Sequence, residues 1–444
     1  PIVTFDPGDS WAGLLPISSN ANETRKLFFW FWPAVNESRS QDFIFWTNGG
    51  PGCSSLEGLL QENGPISWSW GQAQPTQRVL VLNPWSWTNL ANVIWVDQPV
   101  GTGFSEGTPD IADDSDLARE LVGFLQQFLA VFTELSGSNF YLTGESFAGF
   151  YIPYIANYIY ENPGILDLNL QGIWLSDPSI SHDVVEYDIP AFGFVKENQA
   201  LFPLNSTFMS HIEQASNSCG YTTYVDTYAT YPPAGPLPLP GGTVKIPSQC
   251  KIRDAVTSAM QLINPAFTKY RVSNAWPIPC KYVPLMCTIV TLSLSCCRTD
   301  VQDAIHAPHK NWVGCTTEGL YTGGQDTSTP SALSILPSVI ERSTRTVIAQ
   351  GLFVGCYRRN MTWGGKQGFQ TPIEPESFNV EDVMGGTGVS GIYGNMHTER
   401  SLTYVEFYFS GHYTPQFVPW AAYQTVEYLV GLRECPSSNL TDCT

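Results

Sequence analysis

A serine lies at the centre of residues 144–149 (GESFAG), between an apolar run and a helical pattern. Residues 139–142 are apolar and aromatic, as in a buried strand, and apolar residues of 147–160 recur at helical spacing. A serine on a sharp strand-to-helix turn has an accessible hydroxyl, and the first amides of the helix can stabilise an oxyanion. Small residues flank the serine, as such a crowded turn requires. The pattern predicts a nucleophile elbow with Ser146 as the nucleophile, against the alternative of an ordinary loop serine.

A glycine-rich loop, residues 47–55 (TNGGPGCSS), follows a second apolar strand pattern. Glycine leaves the backbone amides of such a loop unencumbered, and the second half of an oxyanion hole needs free amides. The alternative is a purely structural turn. The loop and the elbow together favour acyl-transfer chemistry.

One of the six histidines follows a strand pattern directly. His412 stands in a glycine-flanked loop after the pattern at 402–409, so we expect it at the same sheet edge as Ser146. His397 is the second choice for a catalytic base. The remaining histidines lie in loop-like or cap sequence, where we expect structural or solvated roles.

These residues require a sheet that brings several strand ends to one edge. Strand patterns alternate with helix patterns at 116–135 and 147–160, which predicts a mostly parallel sheet with helices on both faces. The first two strand patterns are expected to be neighbours. Residues 1–180 and 311–444 are predicted to form the two parts of this α/β core, and 181–310, rich in proline and cysteine, an irregular inserted cap. The expected strands are 27–32, 43–46, 93–96, 139–142, 172–175, 345–351 and 402–409.

Composition excludes several functional classes. The 444 residues include 21 basic and 40 acidic side chains, a net charge of -19 that repels nucleic acid and anionic membranes. No apolar run reaches about 18 residues, the length that suggests a membrane span. No cysteine or histidine spacing suggests a metal site, so neither metal nor cofactor is expected.

Eleven cysteines and several glycosylation sequons predict passage through the secretory pathway. We therefore expect a secreted or vacuolar protein, and the start at Pro1 without a signal peptide is interpreted as processing. The odd cysteine count leaves at least one thiol unpaired or paired between chains. The sequon asparagines are Asn22, Asn36, Asn205, Asn360 and Asn439.

Five long motifs, in this order, resemble those of the serine carboxypeptidases. The resemblance runs from the first strand to the C-terminus and implies an α/β-hydrolase fold with an inserted cap. It also implies an enzyme that hydrolyses the C-terminal peptide bond of peptides or proteins through an acyl-enzyme at acidic pH. The motifs are residues 46–55, 62–65, 96–105, 144–149 and 411–416.

The resemblance assigns a role to each motif residue. It implies that Ser146 is the nucleophile, that His412 is the general base, and that the amides of Gly50 and Phe147 form the oxyanion hole. Two of the five residues that would bind the substrate's free carboxylate are glutamates, which at acidic pH can share a proton and donate hydrogen bonds to it. The family's pairing implies a Cys53–Cys315 disulfide, and a Cys219–Cys250 bridge within the cap is plausible. The carboxylate-binding residues would be Trp46, Asn48, Gly49, Glu62 and Glu145.

The sequence departs from the family pattern where the acid of the catalytic triad is expected. Val354 occupies that position, the segment 353–359 is short, and 282–297 is atypical as well. Loss of this carboxylate typically costs about four orders of magnitude in turnover. The residues that could replace it are Asp177, Asp326 and Asp382.

Three functions therefore remain open from the sequence. The leading hypothesis is an acid serine carboxypeptidase acting on peptide C-termini. The second is a catalytically impaired relative that binds peptide C-termini, and the third is an acyltransferase or lyase on the same scaffold. Retention of Glu62 and Glu145 argues against the third, because these groups serve a free carboxylate.

Overall fold

The computed structural model describes residues 5–70, 78–228, 230–233, 235, 237–274, 296–351, 361–372, 376–382, 389–439 and 443. Ten strands form one sheet in the order β1-β2-β6-β3-β7-β8-β9-β14-β13-β12. These strands are β1 Trp11–Pro16, β2 Lys26–Trp32, β3 Asp42–Thr47, β6 Asn92–Asp97, β7 Asn139–Glu145, β8 Asn169–Ser176, β9 Arg345–Gln350, β12 Glu376–Val380, β13 Gly391–Glu399 and β14 Leu402–Phe407. Two small antiparallel pairs lie apart, β4 Ile66–Trp70 with β5 Arg78–Leu82 and β10 Thr362–Trp363 with β11 Lys366–Gln367.

The six central strands of the sheet, β6 to β14 in that order, are parallel to their neighbours. The outer strands at both ends pair antiparallel. Because the carboxyl ends of the parallel strands meet at one edge, the loops after β3, β7, β8 and β14 converge there. The expected adjacency of the first two strand patterns is wrong, because β6 lies between β2 and β3.

Both faces of the central strands are buried, in alternation. Phe43 and Phe45 point into one apolar cluster, whereas Ile44 and Trp46 point into the other. This period of two is the geometry of a pleated strand, and burial on both faces explains the continuous apolar runs. The helices Asp114–Val131, Ala148–Glu161 and Leu336–Arg342 cover the first face, and Pro419–Leu429 covers the second. The predicted fold class is therefore confirmed.

The segment between β8 and β9 folds differently from the expected irregular cap. Its described residues form helices with a small apolar core of their own, and they add no strand to the main sheet. Apolar positions such as Ile252, Val256 and Met260 recur at helical spacing, so the helical pattern was present despite the surrounding prolines. The helices are Ile189–Glu197, Ser206–Ser218, Tyr221–Tyr228, Ile252–Ile263 and Thr299–Ala304.

Candidate active site

Ser146 occupies a sharp turn between the end of β7 and the helix Ala148–Glu161. Its φ of 60° is in the left-handed region, which is uncommon for a residue with a side chain. The turn is held by the Ser146 N–H, which donates to the Ser176 carbonyl at 2.9 Å, and by the Ser179 N–H, which donates to the Ser146 carbonyl at 2.9 Å. A Cβ on Gly149 would lie 2.2 Å from the Ser179 oxygen, so the turn accepts only glycine there.

The glycine-rich loop after β3 packs directly against this turn. A Cβ on Gly49 would lie 2.3 Å from the Phe147 nitrogen, so the close approach requires glycine. Gly50 has a φ of 116°, a conformation that side chains rarely adopt. Within the described residues, the N–H groups of Gly50 and Phe147 donate no hydrogen bond to protein atoms. Two free amides therefore flank the serine.

The imidazole of His412 is oriented by a buried carboxylate. Its Nδ1 lies 2.5 Å from Oδ2 of Asp177, whose side chain is fully buried. The backbone N–H of His412 donates to the Tyr270 carbonyl at 2.7 Å, which fixes the loop after β14. Because Nδ1 faces the carboxylate, the other ring nitrogen is left for the substrate side. Ser146, His412, Gly50 and Phe147 line one cavity of ≈ 400 Å³.

Asp177 follows β8 and has a positive φ of 44°. Its second carboxylate oxygen, Oδ1, accepts hydrogen bonds from Gln350 Nε2 at 2.6 Å and from the Gly351 N–H at 3.1 Å. Both oxygens are thus engaged, so the carboxylate cannot rotate away from the imidazole without losing partners. Of the three aspartates considered from the sequence, the structure brings this one to the histidine.

The other candidates for the base and the acid lie elsewhere. His397 is on β13, where its Nε2 lies 3.0 Å from Glu399 Oε1 and 3.3 Å from the Thr371 hydroxyl. Asp326 accepts hydrogen bonds from Ser328 and lines a different cavity. Asp382 is in the loop after β12. Val354 and the segment 353–359 lie outside the described residues, as does most of 282–297.

The predicted carboxylate-binding residues form a buried group beneath the turn. Trp46 Nε1 and the Gly58 N–H donate to Asn48 Oδ1 at 2.8 and 3.1 Å, which fixes the orientation of the amide. Asn48 Nδ2 therefore donates to Glu145 Oε1 at 2.7 Å and approaches Glu62 Oε1 at 3.5 Å. The structure brings these side chains together, and Gly49 lies beside them in the chain.

Burial keeps protons on these glutamates. It raises the pKa of Glu62 to about 8. Burial, followed by the negative charge of Glu62, raises the pKa of Glu145 well above its usual range. The second oxygen of each carboxyl, Oε2, is buried without a hydrogen-bond partner within the described structure. A protonated pair can direct hydrogen-bond donors at a carboxylate, whereas an ionised pair repels it.

A third buried glutamate was not identified from the sequence. Glu57 is 4% exposed, and burial, with the charges of Glu62 and Asp97 behind it, raises its pKa to about 8. The sequence signal for its burial was its position directly after the glycine-rich loop. The apolar residues Leu56 and Leu59 are close to it in that segment. The site thus contains three carboxyl groups with raised pKa values.

The titration of this group predicts a pH dependence of substrate binding. We expect KM for benzyloxycarbonyl-Phe-Leu to stay constant from pH 5 to 7 and to rise by up to about tenfold per pH unit above about pH 8, where the required proton is lost. In Glu62→Gln the amide donates without ionising, so the rise should be shallower. Steady-state kinetics at several pH values measures this, and identical KM profiles for both proteins would contradict it.

Glu186 holds the chain just after Asp177. Its Oε1 accepts from the Ile180 and Ser181 N–H groups, each at 2.7 Å, and burial raises its pKa from 4.5 to about 8. The folded state therefore binds this proton more tightly than the unfolded state. The resulting stabilisation is complete below pH 4.5 and is lost progressively as the pH rises towards 8.

Replacing Glu186 with glutamine removes this ionisation and keeps the oxygen acceptor. We expect the fall in the free energy of unfolding between pH 5 and 8 to shrink by up to about 1.4 kcal/mol per pH unit in Glu186→Gln. Denaturant unfolding at both pH values measures the effect. Glu213→Gln, at an exposed position between β8 and β9, is the matched control, and its free energy of unfolding should fall as steeply as that of the wild type. A parallel decline in Glu186→Gln would contradict the assignment.

Both predicted disulfides are present. Cys53–Cys315 joins the glycine-rich loop to the chain before β9, and Cys219–Cys250 lies in the segment between β8 and β9. Cys435–Cys443 closes a further bridge near the C-terminus, and Cys296 and Cys297 are free thiols. The sequon residues Asn22, Asn36, Asn205 and Asn439 are exposed, whereas Asn360 lies outside the described residues.

Within the described residues, no group of three or more histidine, cysteine, aspartate or glutamate side chains is arranged so that it could hold a metal ion. Within the same residues, no helix combines the length and apolar character needed to cross a membrane.

The chain is similar to known proteins over most of its length. Residues 4–431 match the model of the family described as Serine carboxypeptidase. The chain is 41% identical to a probable serine carboxypeptidase of Arthroderma benhamiae, with 97% of this chain and 84% of the relative covered. It is 37% identical to serine-type carboxypeptidase F of Aspergillus niger, with 98% and 86% covered.

A solved structure with the same fold is that of KEX1(DELTA)P, a prohormone-processing carboxypeptidase from Saccharomyces cerevisiae. The TM-score is 0.71 at 22% sequence identity, with 95% of this chain and 90% of that chain covered. The fold is that of the α/β-hydrolases. The family match extends over nearly the whole sequence, and the structure contains the turn, the glycine-rich loop and the buried cluster of Asn48, Glu62 and Glu145. The chain therefore belongs to the serine carboxypeptidases.

Proposed function

We propose that this chain is an active serine carboxypeptidase in which Asp177 supplies the triad carboxylate that Val354 cannot. The observation that carries the proposal is the 2.5 Å contact between Asp177 Oδ2 and His412 Nδ1. A buried carboxylate at this distance fixes the imidazole tautomer and stabilises the imidazolium that forms during catalysis. The family's chemistry then needs no residue from the segment 353–359.

In the proposed reaction, Ser146 Oγ attacks the carbonyl carbon of the last peptide bond and passes its proton to the free ring nitrogen of His412. The amides of Gly50 and Phe147 stabilise the oxyanion. The tetrahedral intermediate collapses, the C–N bond breaks, and the departing amine takes the proton from His412. Water then attacks the acyl-enzyme with the same assistance, which releases the shortened peptide and restores the serine.

We propose that specificity for the C-terminus of the substrate comes from the buried cluster of Asn48, Glu62 and Glu145. Asn48 Nδ2 and the protons of Glu145 and Glu62 would donate hydrogen bonds to the substrate's terminal carboxylate, with Trp46 and Gly49 as structural supports. Both glutamates keep a proton through the acidic range, because their pKa values are raised by burial. An acidic to neutral working range follows. The substrates are peptides, as for other members of the family.

The cellular setting is proposed from the same features. The disulfides and the exposed sequons fit an enzyme of the secretory pathway, secreted or vacuolar and glycosylated. We also propose that residues 181–310 are an inserted cap over the core formed by 1–180 and 311–444. The acidic surface argues against nucleic-acid partners.

Hydrolysis of benzyloxycarbonyl-Phe-Leu from pH 4 to pH 8 tests the proposal. We expect release of leucine in the acidic to neutral range, and no release after pretreatment with a fluorophosphonate, which phosphonylates the reactive serine with loss of fluoride. Absence of release at every pH would contradict the proposal and favour a catalytically impaired protein that binds peptide C-termini.

A further inference from the structure

The cavity above Ser146 contains cationic side chains that the reaction itself does not use. Its inner end is formed by Ser146, His412 and Gly50, and its outer walls come from the cap, among them Tyr187, Arg253 and Lys269. The chain has 40 acidic but only 21 basic residues, so cations at this position are unexpected on composition alone. Their contacts show whether these cations only stabilise the fold or can also bind an anionic group of the substrate.

Arg253 and Lys269 lack a direct ion pair among the described residues, and their charges are only partly offset by nearby aspartates. Within the described residues, the salt bridges do not include either side chain. The Arg253 guanidinium stacks 3.9 Å from the centre of the Tyr187 ring, and its Nε is buried without a hydrogen-bond partner. Burial and then the positive charge of Arg253 lower the pKa of Lys269, so the two cations are close enough to repel each other. Such an arrangement is unfavourable unless an anion occupies it.

Three aspartates line the same cavity and do not remove this imbalance. Asp254 lies 4.0 Å from Lys251 and is paired with that lysine. Asp188 accepts from the backbone N–H of Arg253 at 3.0 Å, and burial raises its pKa to about 6, so acidic pH lowers its charge. Asp183 also attracts Lys269, but it is exposed, so water and salt screen this interaction. At acidic pH the charges of Arg253 and Lys269 are therefore only partly offset by these aspartates.

The terminal carboxylate of the substrate is not the anion that this wall would bind. The residues proposed to hold that group, Asn48, Glu62 and Glu145, do not line the cavity, which extends from Ser146 towards the cap. A substrate that reaches Ser146 from the carboxylate-binding group would place its acyl side in the cavity. The side chain entering there would meet Arg253 and Lys269.

We propose that Arg253 and Lys269 bind the carboxylate side chain of the substrate residue on the acyl side of the scissile bond, so that the enzyme prefers glutamate or aspartate there. This inference rests on the proposed function. It assumes that the scissile bond lies at Ser146 and that the cluster around Glu62 and Glu145 binds the substrate's C-terminal carboxylate. Charge-assisted hydrogen bonds of this kind discriminate a carboxylate from its neutral amide.

The test compares benzyloxycarbonyl-Glu-Leu with benzyloxycarbonyl-Gln-Leu at pH 5.5, where a glutamate side chain is mostly ionised. We expect kcat/KM of the wild type to favour the glutamate substrate by about tenfold. The ratio should fall to about one in the double variant Arg253→Gln, Lys269→Gln, and also fall in the single variant Lys269→Gln if the double variant does not fold. Lys196→Gln, on an exposed cap position outside the cavity, should keep the wild-type ratio.

Two results would overturn the inference. The first is a wild-type ratio near one, and the second is discrimination that appears only when the acidic residue is the C-terminal one, as in benzyloxycarbonyl-Phe-Glu. Hydrolysis of benzyloxycarbonyl-Phe-Leu without glutamate preference would refute the pocket assignment alone. Absence of all hydrolysis would refute the proposed function, and binding of the two substrates to Ser146→Ala would still decide the pocket assignment.

Discussion

Replacing Asp177 with asparagine is expected to lower kcat for benzyloxycarbonyl-Phe-Leu by about four orders of magnitude. Asparagine has the same size and can still accept from Gln350 and Gly351, so the loop should keep its shape. It cannot stabilise an imidazolium, and its amide group favours the wrong tautomer of His412. KM should change little, because the carboxylate-binding residues are separate from this contact. Steady-state kinetics of purified protein measures both constants.

The matched control is Asp382→Asn, at another of the three aspartates that the sequence suggests. Asp382 lies in the loop after β12, away from the His412 contact, so this variant should keep kcat to within about twofold. A large loss of kcat in Asp382→Asn, together with an unchanged kcat in Asp177→Asn, would contradict the assignment of Asp177 as the triad acid. Introducing the family's acid as Val354→Asp should not rescue Asp177→Asn fully, because the imidazole is oriented towards β8.

Replacing Ser146 with alanine is expected to lower kcat by about six orders of magnitude, because no acyl-enzyme can form. The backbone at this position has a φ of 60°, and serine and alanine both carry a Cβ, so the conformational cost is the same in both proteins. The fold should therefore survive, and substrate should still bind. Calorimetric titration with benzyloxycarbonyl-Phe-Leu checks binding, and product release checks turnover.

A surface serine gives the corresponding control. Ser136→Ala, at an exposed position after the helix Asp114–Val131, should retain full turnover. Residual hydrolysis by Ser146→Ala at more than about one hundredth of the wild-type rate would mean that another nucleophile acts.

The strands and the catalytic turn could be predicted because their signals are local. Strands that are buried on both faces have continuous apolar sequences. The predicted bounds of β3, β6, β7 and β8 therefore lie within three residues of the observed ones. The turn at Ser146 required small residues at fixed offsets, and these are visible in the sequence. Cys53–Cys315 followed from the family resemblance, and the structure contains it.

The order of strands could not be read in the same way. Two patterns close in sequence suggested adjacent strands, but β3 pairs parallel with β6 and β7 instead. Pairing partners are chosen by long-range packing, and the chain between β3 and β6 makes the crossover that a parallel pair needs. The expected irregularity of the segment between β8 and β9 is wrong for a related reason. Its described prolines lie between α-helices or, like Pro190, in a first helical turn, so they do not interrupt the helices.

The identity of the triad acid depended on three-dimensional proximity. Asp177 and His412 are 235 residues apart, and the sequence offered three aspartates without a way to rank them. The end of β8 is brought to the end of β14 by the single strand β9 between them. Glu57 was missed for the same reason, because its apolar neighbours in the sequence can indicate burial but not proximity to Glu62 and Glu145.

The rate at which a fluorophosphonate labels Ser146 tests the central claim most directly, because labelling needs the activated serine but no bound peptide. Wild type, Asp177→Asn and Asp382→Asn would be compared at pH 6 by intact-mass measurement. We predict equal labelling of wild type and Asp382→Asn, and labelling of Asp177→Asn that is at least about a hundredfold slower. An unlabelled wild type, or equal rates in all three proteins, would contradict the assignment of Asp177 as the carboxylate that activates this site.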